Sequence, residues 1–212
     1  MRKIKLAKGE IYHILNRGVE KRNIFIDQED LERFFECMIV FNSIQPSGSL
    51  HEQSFQKDKI ERKPLVNFIA YCLLPNHFHF ILEQVEENGI SKFMKRLQGG
   101  YSWYFNNKYK RSGSLFQGPF KSKHVDSNEY LLHVSAYVNL NDKQKSSLGD
   151  PVAKLVKSSW NEYTNPKNSP INICPKKEIV LEQFRTTDEY KKFALSSLED
   201  IKINKEKYKE LE

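Results

Sequence analysis

Two histidines separated by a single residue are the most informative feature of the sequence. His77 and His79 alternate with Phe78 and Phe80. In a β-strand alternate side chains point to the same face, so the imidazoles share one face and the phenylalanines the other. Two neighbouring imidazoles can bind one divalent cation, which then needs at least one further ligand. Strand histidines can also be purely structural, and the pair alone does not separate these two interpretations.

A tyrosine and an asparagine further along the chain have the spacing of neighbours on a helix. Tyr137 and Asn141 are four residues apart in a predicted helix, so their side chains share one face. If that face lies over the histidines, Asn141 offers an amide oxygen to the cation and Tyr137 places a hydroxyl beside it. A phenol, with a pKa of about 10, is a weak nucleophile, and a nearby cation makes its attack feasible. On spacing alone, Tyr137 is better explained as one member of a packing face with Tyr130 and Val134.

The elements that must position these side chains alternate between strands and helices. Apolar runs rich in β-branched and aromatic residues predict strands, and apolar residues at helical spacing predict helices. In chain order we predict strand 11–16, helix 27–43, strand 65–74, strand 77–82, helix 91–109, one or two short strands in 114–125, and helix 126–141. The turn at Pro75 and Asn76 is so short that the strands beside it must pair antiparallel. This order predicts an α+β fold, a ferredoxin-like antiparallel sheet with helices packed on one face, plus an extra helix.

Capping residues and local composition place the boundaries of these elements. Asp27 can cap the first helix, and Asp126 with Glu129 three residues later resembles the capping box that opens the last one. Segment 44–64 is rich in Ser, Gln and Lys and predicts a mobile loop. We divide the chain into a main domain at 1–150, which holds the candidate chemistry, and a C-terminal extension at 151–212, irregular at first and then helical.

Positive charge is concentrated in one segment of the chain. The protein has 212 residues, with 34 Lys and Arg against 27 Asp and Glu, for a formal net charge of +7. Positions 88 to 125 contain no acidic residue, and aromatic rings are interleaved with the cations there. Cations bind phosphates and rings stack on unpaired bases, so nucleic acid is the favoured partner, although most of these rings could be core and the cations a solvated face. The candidate DNA-binding residues are Arg17, Lys92, Lys95, Arg96, Lys108, Lys110, Arg111, Lys121 and Lys123.

Other bulk features exclude several classes of protein. Hydrophobic residues make up 39% of the chain, which is enough for a packed core and excludes a wholly disordered protein. No apolar run approaches the roughly 18 residues that a membrane-spanning helix needs. The first residues lack the apolar segment of a signal peptide, and Cys37, Cys72 and Cys174 are too far apart for a CxxC zinc site. We expect reduced thiols and a cytoplasmic protein without a membrane partner.

Over roughly residues 9 to 165 the chain resembles a known family of enzymes. Segment 74–82, Leu-Pro-Asn-His-Phe-His-Phe-Ile-Leu, resembles the HUH motif (His, bulky apolar residue, His) of single-strand DNA transposases. More closely, the chain resembles the REP-associated tyrosine transposases of bacteria, which have an IS200-like transposase domain. Five further segments are similar to that family in order and spacing: 12–18 with 23–25, 70–77, 113–118, 130–141 and 158–160.

This resemblance implies a metal-dependent strand transferase that cleaves and rejoins single-stranded, hairpin-associated DNA. By motif position, Tyr137 corresponds to the attacking tyrosine, His77 and His79 to the metal-binding pair, and Asn141 to the third ligand. The implied reaction gives a 5′-phosphotyrosine and a free 3′-hydroxyl, and the covalent bond allows resealing without ATP. The implied cofactor is Mg²⁺ or Mn²⁺. Repetitive palindromic DNA is the implied substrate, the bacterial nucleoid the implied location, and such domains commonly pair as homodimers.

The sequence departs from the family's pattern at two places. After Asn141 the family usually has proline and a basic stretch, whereas this chain has Asp142, which leaves the end of the helix open and puts an acid near the implied phosphate site. Where the family often has an arginine after the glutamine-containing strand, this chain has Pro119. Lys121 or Lys123 would then supply the phosphate contact.

Several alternatives stay open at the level of the sequence. A ferredoxin-like sheet can also be a non-catalytic binding module for single-stranded DNA or RNA, which stacks bases on aromatic rings and needs no metal. Tyr101, Tyr104 and Tyr109 lie in the basic helix and are alternative candidates for the nucleophile. An element that moves itself and a host protein that only processes repeats would have the same chemistry, so sequence does not separate them.

Overall fold

The structure is a computed structural model that describes residues 5–45, 63–145, 155–169 and 172–203. Its described residues form one antiparallel sheet of five strands. The strands are β1 (Ile11–Arg17), β2 (Val66–Leu74), β3 (His77–Gln84), β4 (Lys121–His124) and β5 (Lys157–Ser158). Their order across the sheet is β4-β1-β3-β2-β5, so the strand that carries the histidine pair is central.

Helices cover both faces of this sheet. They are α1 (Gln28–Val40), α2 (Gly89–Lys108), α3 (Asn128–Lys145), α4 (Trp160–Thr164), α5 (Glu178–Leu181) and α6 (Thr187–Ile203). The first two pack on one face in a core that includes Phe78 and Phe80, and α3 packs with α5 and α6 on the other, in a core that includes Ile81. The ferredoxin-like α+β fold is confirmed: its two helices share one face, and the extra helix and the C-terminal ones cover the opposite face.

Alternation along β3 separates its side chains between these two cores. Phe78 and Phe80 stack with ring centroids 4.6 Å apart, and the ring of Phe34 from α1 lies 5.6 Å from that of Phe78. Since successive residues of a strand point to opposite faces, His77 and His79 are directed to the α3 side. The phenylalanines therefore anchor β3 in one core and fix the direction in which the two imidazoles point.

The beginnings of the two long flanking helices test the predicted caps. At the start of α1, Asp27 accepts a hydrogen bond from the backbone of Asp30 at 3.0 Å, and Asp30 accepts one in return at 3.3 Å. The prediction that Asp27 caps this helix is therefore confirmed. At the start of α3 the hydroxyl of Ser127 accepts from the backbone N–H of Tyr130 at 3.2 Å. The predicted capping box with Asp126 as N-cap is wrong by one residue, because the hydroxyl of Ser127 fills that position instead.

The C-terminal residues are integrated into the fold through a buried polar network. Strand β5 pairs antiparallel with β2, with Ser158 opposite Cys72. The amide of Asn139 in α3 donates to the hydroxyl of Tyr190 in α6 at 2.8 Å, and the hydroxyl of Ser159 donates to the same Asn139 side chain. This network ties α3 both to the edge of the sheet and to α6. Strand β5 was not predicted, because two residues are too few to show an alternating pattern.

Two other expectations concern the loop and the membrane. Of the predicted mobile loop at 44–64, residues 46–62 lie outside the described ranges, and the backbone N–H of Ile44 donates to the carbonyl of Lys63 at 2.9 Å. Within the described part of the chain, no helix combines the length and the apolar character that crossing a bilayer requires.

Candidate active site

His77, His79 and Tyr137 come together between the sheet and α3. The centroid of the His79 ring lies 5.1 Å from that of His77 and 5.5 Å from that of Tyr137. The rings of His79 and Tyr137 are almost perpendicular. All three side chains are buried, with exposed fractions of 3%, 0% and 3%. The structure thus brings the two candidate metal ligands and the candidate nucleophile into one cluster, although they come from different elements.

A third histidine, His13 of β1, belongs to the same cluster and was not predicted. Its Nε2 lies 3.0 Å from Nδ1 of His79, and the two rings are nearly parallel, at 15°. Its centroid lies 6.4 Å from that of Tyr137. Burial, together with the nearby ammonium of Lys123, lowers the pKa of His13 to about 3, so its ring is neutral at neutral pH. The sequence offers one sign of a role for His13, which is a polar residue between apolar residues of a predicted strand. A polar side chain buried there needs a hydrogen-bond partner.

The two candidate metal ligands both use Nδ1 for a hydrogen bond inside the protein. His77 bonds through Nδ1 to the side-chain oxygen of Asn76, and His79 through Nδ1 to His13. Metal-binding histidines are typically held in this way at one ring nitrogen, which directs the other to the metal. The donors therefore fit a divalent cation bound through Nε2 when Nδ1 of each ring carries the hydrogen. The described residues contain no group of three or more His, Cys, Asp or Glu that could hold a metal, so a cation here would also need an amide, water or substrate oxygen.

Asn141, the candidate third ligand, lies one helical turn beyond Tyr137 and is buried. Among the residues that the structure describes, its Nδ2 has no hydrogen-bond partner. Helix α3 continues past it to Lys145, which places the end of the helix beyond the position where the family usually has proline. A phosphate could reach the hydroxyl of Tyr137 only after a shift of this helix or of the side chain, because the residue is buried as it stands.

Three of the candidate DNA-binding residues lie on the same face of the sheet as the histidines. Arg17 is directly opposite His77 in the pairing of β1 with β3, and Lys123 is directly opposite His13 in the pairing of β1 with β4. Side chains directly opposite each other in antiparallel strands point to the same face. Lys121 lies two residues before Lys123 and shares that face, and it lines with Arg17 and His77 a cavity of about 210 Å³.

The other six candidate DNA-binding residues belong to α2 or to the turn after it, on the opposite side of the sheet. These are Lys92, Lys95, Arg96, Lys108, Lys110 and Arg111. Lys108 lies 2.8 to 3.0 Å from carboxylate oxygens of Asp27, Glu29 and Asp30, which come from the cap and first turn of α1. Arg96 donates to the backbone carbonyl of Ser43. The structure therefore does not bring this group to the histidine cluster, and it engages Lys108 in an ion-pair network within the protein.

The three alternative tyrosines also lie on the α1 and α2 side. Tyr101 is fully buried and donates to the carbonyl of Ile24, and burial raises the pKa of its hydroxyl. Burial likewise raises the pKa of Tyr104 to about 12, and the hydroxyl of Tyr109 donates to Asp30 at 2.8 Å. A raised pKa opposes formation of the nucleophilic phenolate. The sheet separates these tyrosines from the histidines.

Comparison with known protein families covers the part of the chain that contains the histidine cluster and Tyr137. The family model described as "Transposase IS200 like" matches residues 8–141. The chain belongs to the IS200-like transposase family. The match runs from the residues before β1 to Asn141, so it includes the histidine pair, Tyr137 and every element between them. The resemblance recognised in the sequence motifs is confirmed, and the class of activity is DNA processing of the transposase kind.

Two solved structures are similar to this IS200-like transposase. A REP-associated tyrosine transposase bound to a REP hairpin is 12% identical, with a TM-score of 0.49 over 84% of this chain and 92% of that one. A proposed transposase from Deinococcus radiodurans R1 is 14% identical, with a TM-score of 0.39 over 65% of this chain and 95% of that one. No curated protein matches the chain.

Proposed function

We propose that this protein is a metal-dependent DNA strand transferase that cleaves and rejoins single-stranded, hairpin-associated DNA through a 5′-phosphotyrosine intermediate. The observation that carries the proposal is the contact between the rings of Tyr137 and His79, whose centroids are 5.5 Å apart. A cation beside its hydroxyl assists attack by a tyrosine, whereas a binding module needs neither a nucleophile nor a cation. Membership of the IS200-like transposase family supports the class of reaction.

The proposed metal site uses one ring nitrogen of each of two histidines. His77 and His79 would hold Mg²⁺ or Mn²⁺ through Nε2, with the amide oxygen of Asn141 as third ligand. The bound ion supplies stabilisation of the negative charge that develops on the phosphate oxygens. Two imidazoles in the donor set favour Mn²⁺ over Mg²⁺, which prefers oxygen ligands.

Tyr137 is the proposed nucleophile. Its hydroxyl loses its proton and its oxygen forms a bond to phosphorus, while the bond from phosphorus to the 3′ oxygen breaks and that oxygen takes up a proton. The products are a 5′-phosphotyrosine and a free 3′-hydroxyl. The new ester keeps the energy of the broken one, so another 3′-hydroxyl can attack it and release Tyr137 without ATP.

The DNA is proposed to lie along β4, the edge strand, and its neighbour β1. Arg17, Lys121 and Lys123 would bind backbone phosphates there, because their strand positions place them on the face of the histidines. The cavity lined by Arg17, Lys121 and His77 would receive the strand next to the scissile phosphate. Hairpin-forming repeats as the substrate, a homodimer and association with the bacterial nucleoid belong to the same proposal, on the basis of the motif resemblance.

The decisive experiment looks for a covalent adduct between protein and DNA. Hairpin oligonucleotides with an unpaired flank are labelled at the 3′ end, because the fragment carrying the 5′-phosphate stays attached to the enzyme. With Mn²⁺ we expect a labelled band at the size of the protein on a denaturing gel. Tyr137→Phe should abolish it and leave hairpin affinity nearly unchanged, and Tyr104→Phe, on the other side of the sheet, should retain it. An undiminished adduct from Tyr137→Phe would show that the nucleophile is another residue.

The burial of Tyr137, 3% exposed, favours one alternative function. A non-catalytic binding module for single-stranded DNA or RNA needs no accessible hydroxyl and should bind equally well in EDTA. The strand transferase should lose cleavage completely in EDTA and regain it with Mn²⁺. Binding that is insensitive to EDTA, together with no adduct from any hairpin in Mn²⁺, would favour the module.

A further inference from the structure

A buried hydrogen bond between two imidazoles lies beside Tyr137. Nε2 of His13 is 3.0 Å from Nδ1 of His79, and both residues are fully buried. His13 belongs to β1, which is paired with β3 on one side and with β4 on the other. The backbone of His13 is therefore held by neighbours on both sides, and the hydrogen bond to His79 orients its ring.

Only one hydrogen can lie between these two nitrogens. Which of the two rings carries it decides whether Nε2 of His79 can bind a metal. A neutral imidazole carries a hydrogen on one nitrogen and a lone pair on the other. If His13 donates, Nδ1 of His79 is the acceptor, and the hydrogen of His79 is on Nε2, which then cannot bind a metal. If His79 donates from Nδ1, its lone pair is on Nε2.

His77 shows which of these two states suits a shared cation. Its Nδ1 contacts the side-chain oxygen of Asn76, an atom that only accepts hydrogen bonds, so Nδ1 carries the hydrogen and Nε2 the lone pair. One cation between the two rings needs a lone pair from each. His79 must therefore have the same tautomer as His77, with His13 as the acceptor.

We propose that His13 is a positioning residue that accepts the Nδ1 hydrogen of His79 and thereby keeps the lone pair of His79 on Nε2 for the divalent cation. The inference rests on the proposed function, because it assigns a role toward the metal of that site. His13 itself does not touch the metal, the substrate or the attacking oxygen.

The hydrogen-bond balance of His13 supports a functional role. In the proposed state the hydrogen of His13 is on Nδ1, and that atom has no hydrogen-bond partner among the residues that the structure describes. A buried donor without a partner opposes folding, and such a group in a native core calls for an explanation other than stability. Control of the tautomer of His79 would account for the retention of this group.

The test uses two variants of the full chain and a measurement that does not depend on activity. His13→Phe keeps a flat ring but removes the acceptor, whereas His13→Gln retains a carbonyl oxygen that can accept. Binding of Mn²⁺ is titrated without DNA, from the electron paramagnetic resonance signal of the free ion. We expect His13→Phe to raise the Kd for Mn²⁺ about 10- to 100-fold, in the range of other outer partners of metal ligands, and His13→Gln to raise it less. Unchanged affinity in His13→Phe would overturn the proposal.

The tautomer itself can be read in the metal-free wild type by ¹⁵N NMR of the imidazoles. We expect the hydrogen of His79 on Nδ1, and a mixture of tautomers in His13→Phe. A wild-type His79 with its hydrogen on Nε2 would overturn the inference. If His13→Phe does not fold, this wild-type spectrum and the titration of His13→Gln still decide the question. Failure of the proposed function would look different: no Mn²⁺-dependent adduct from wild type, or Mn²⁺ binding that survives His79→Ala.

Discussion

The two faces of the sheet use the same residue types, cations and aromatic rings, to different ends. On the α1 and α2 side, rings pack against rings, and Lys108 is surrounded by three carboxylates from the neighbouring helix. On the α3 side, the ring of Tyr137 packs against imidazoles, and Arg17 lies on the same face, opposite His77. Both faces hold their helices through buried cores, and the second also collects groups that can bind a metal and phosphates.

This difference shows why an acid-free segment of sequence is an uncertain sign of DNA binding. Positions 88 to 125 have no acidic residue, yet Lys108 meets Asp27 and Asp30, which come from some 80 positions earlier in the chain. Ion pairs depend on packing in space, so a local count of charges misses partners from another helix. The cations of β4 belong to the same segment and face the histidine cluster instead.

The largest contrast between the faces should come from removing one strand histidine from each. His79→Ala removes a proposed metal ligand, so we expect adduct formation with hairpin DNA and Mn²⁺ to fall by more than about 100-fold, beyond the range for outer partners of metal ligands. His124→Ala is the matched control, because His124 lies in β4 opposite Tyr12, on the other face. Its side chain bonds to the exposed Glu10 and packs against the ring of Tyr12. The variant should change the yield by less than about twofold.

The assay is the yield of covalent adduct on a denaturing gel, measured alongside thermal melting of each variant. Equal losses in His79→Ala and His124→Ala would mean that both act through stability, and the functional distinction between the two faces would fail. A loss confined to His79→Ala, with both proteins folded, supports it.

A loss of stability without loss of activity is expected from the other face. Lys108→Met removes the cation beside Asp30, whose side chain is completely buried. Breaking a buried ion pair leaves a carboxylate without its counter-charge, and because Lys108 is partly exposed we expect the free energy of unfolding to fall by about 1–3 kcal/mol. Urea denaturation at pH 7 measures it. Hairpin binding should be unchanged.

The control for Lys108→Met is Lys191→Met, which breaks an exposed pair with Asp188 at 2.8 Å and should leave stability as it is.

The loss of stability in Lys108→Met should also depend on pH. Burial raises the pKa of Asp27, but hydrogen bonds from Lys108, from the backbone of Asp30 and from Tyr109 lower it overall. The contribution of this pairing to the free energy of unfolding is therefore fully present above the ordinary carboxyl pKa and is lost as the pH falls through the lowered pKa of the folded state. A Lys108→Met variant as stable as wild type at pH 7 would contradict the assignment.

The sequence predicted those parts of the fold and site that depend on neighbours in the chain. The alternation of His77 and His79 with phenylalanines settles which face they share, and the turn at Pro75 settles how β2 and β3 pair. The meeting of Tyr137 with His79 depends on the path of α3 across the sheet, which spacing does not encode. There the resemblance to a family supplied the expectation, and spacing alone favoured simple packing.

The contact between His13 and His79 could not be predicted from the sequence. It contacts His79 because β1 and β3 pair in one particular register, with Leu15 opposite His79 and His13 opposite Ile81. A shift of one residue would have turned His13 to the other face. Register is fixed by the packing of whole strands, so no local pattern around His13 pointed to its partner. For the same reason Lys121 and Lys123 could be named as candidates from charge, but not ranked above Lys92 or Lys95.

The smallest expected effect distinguishes the two groups of cations directly. Binding of a hairpin with an unpaired flank is measured in EDTA at several salt concentrations, in the Tyr137→Phe background, so that cleavage does not interfere. Each phosphate contact that is lost should reduce the slope of log K against log salt by about 1. Lys121→Gln should show this reduction, because Lys121 shares the face and the cavity of His77. Lys95→Gln, an equal change of charge at an exposed position of α2, should leave the slope unchanged. Equal reductions in both would mean that DNA contacts both sides of the sheet, and a reduction only in Lys95→Gln would move the proposed DNA path to α2.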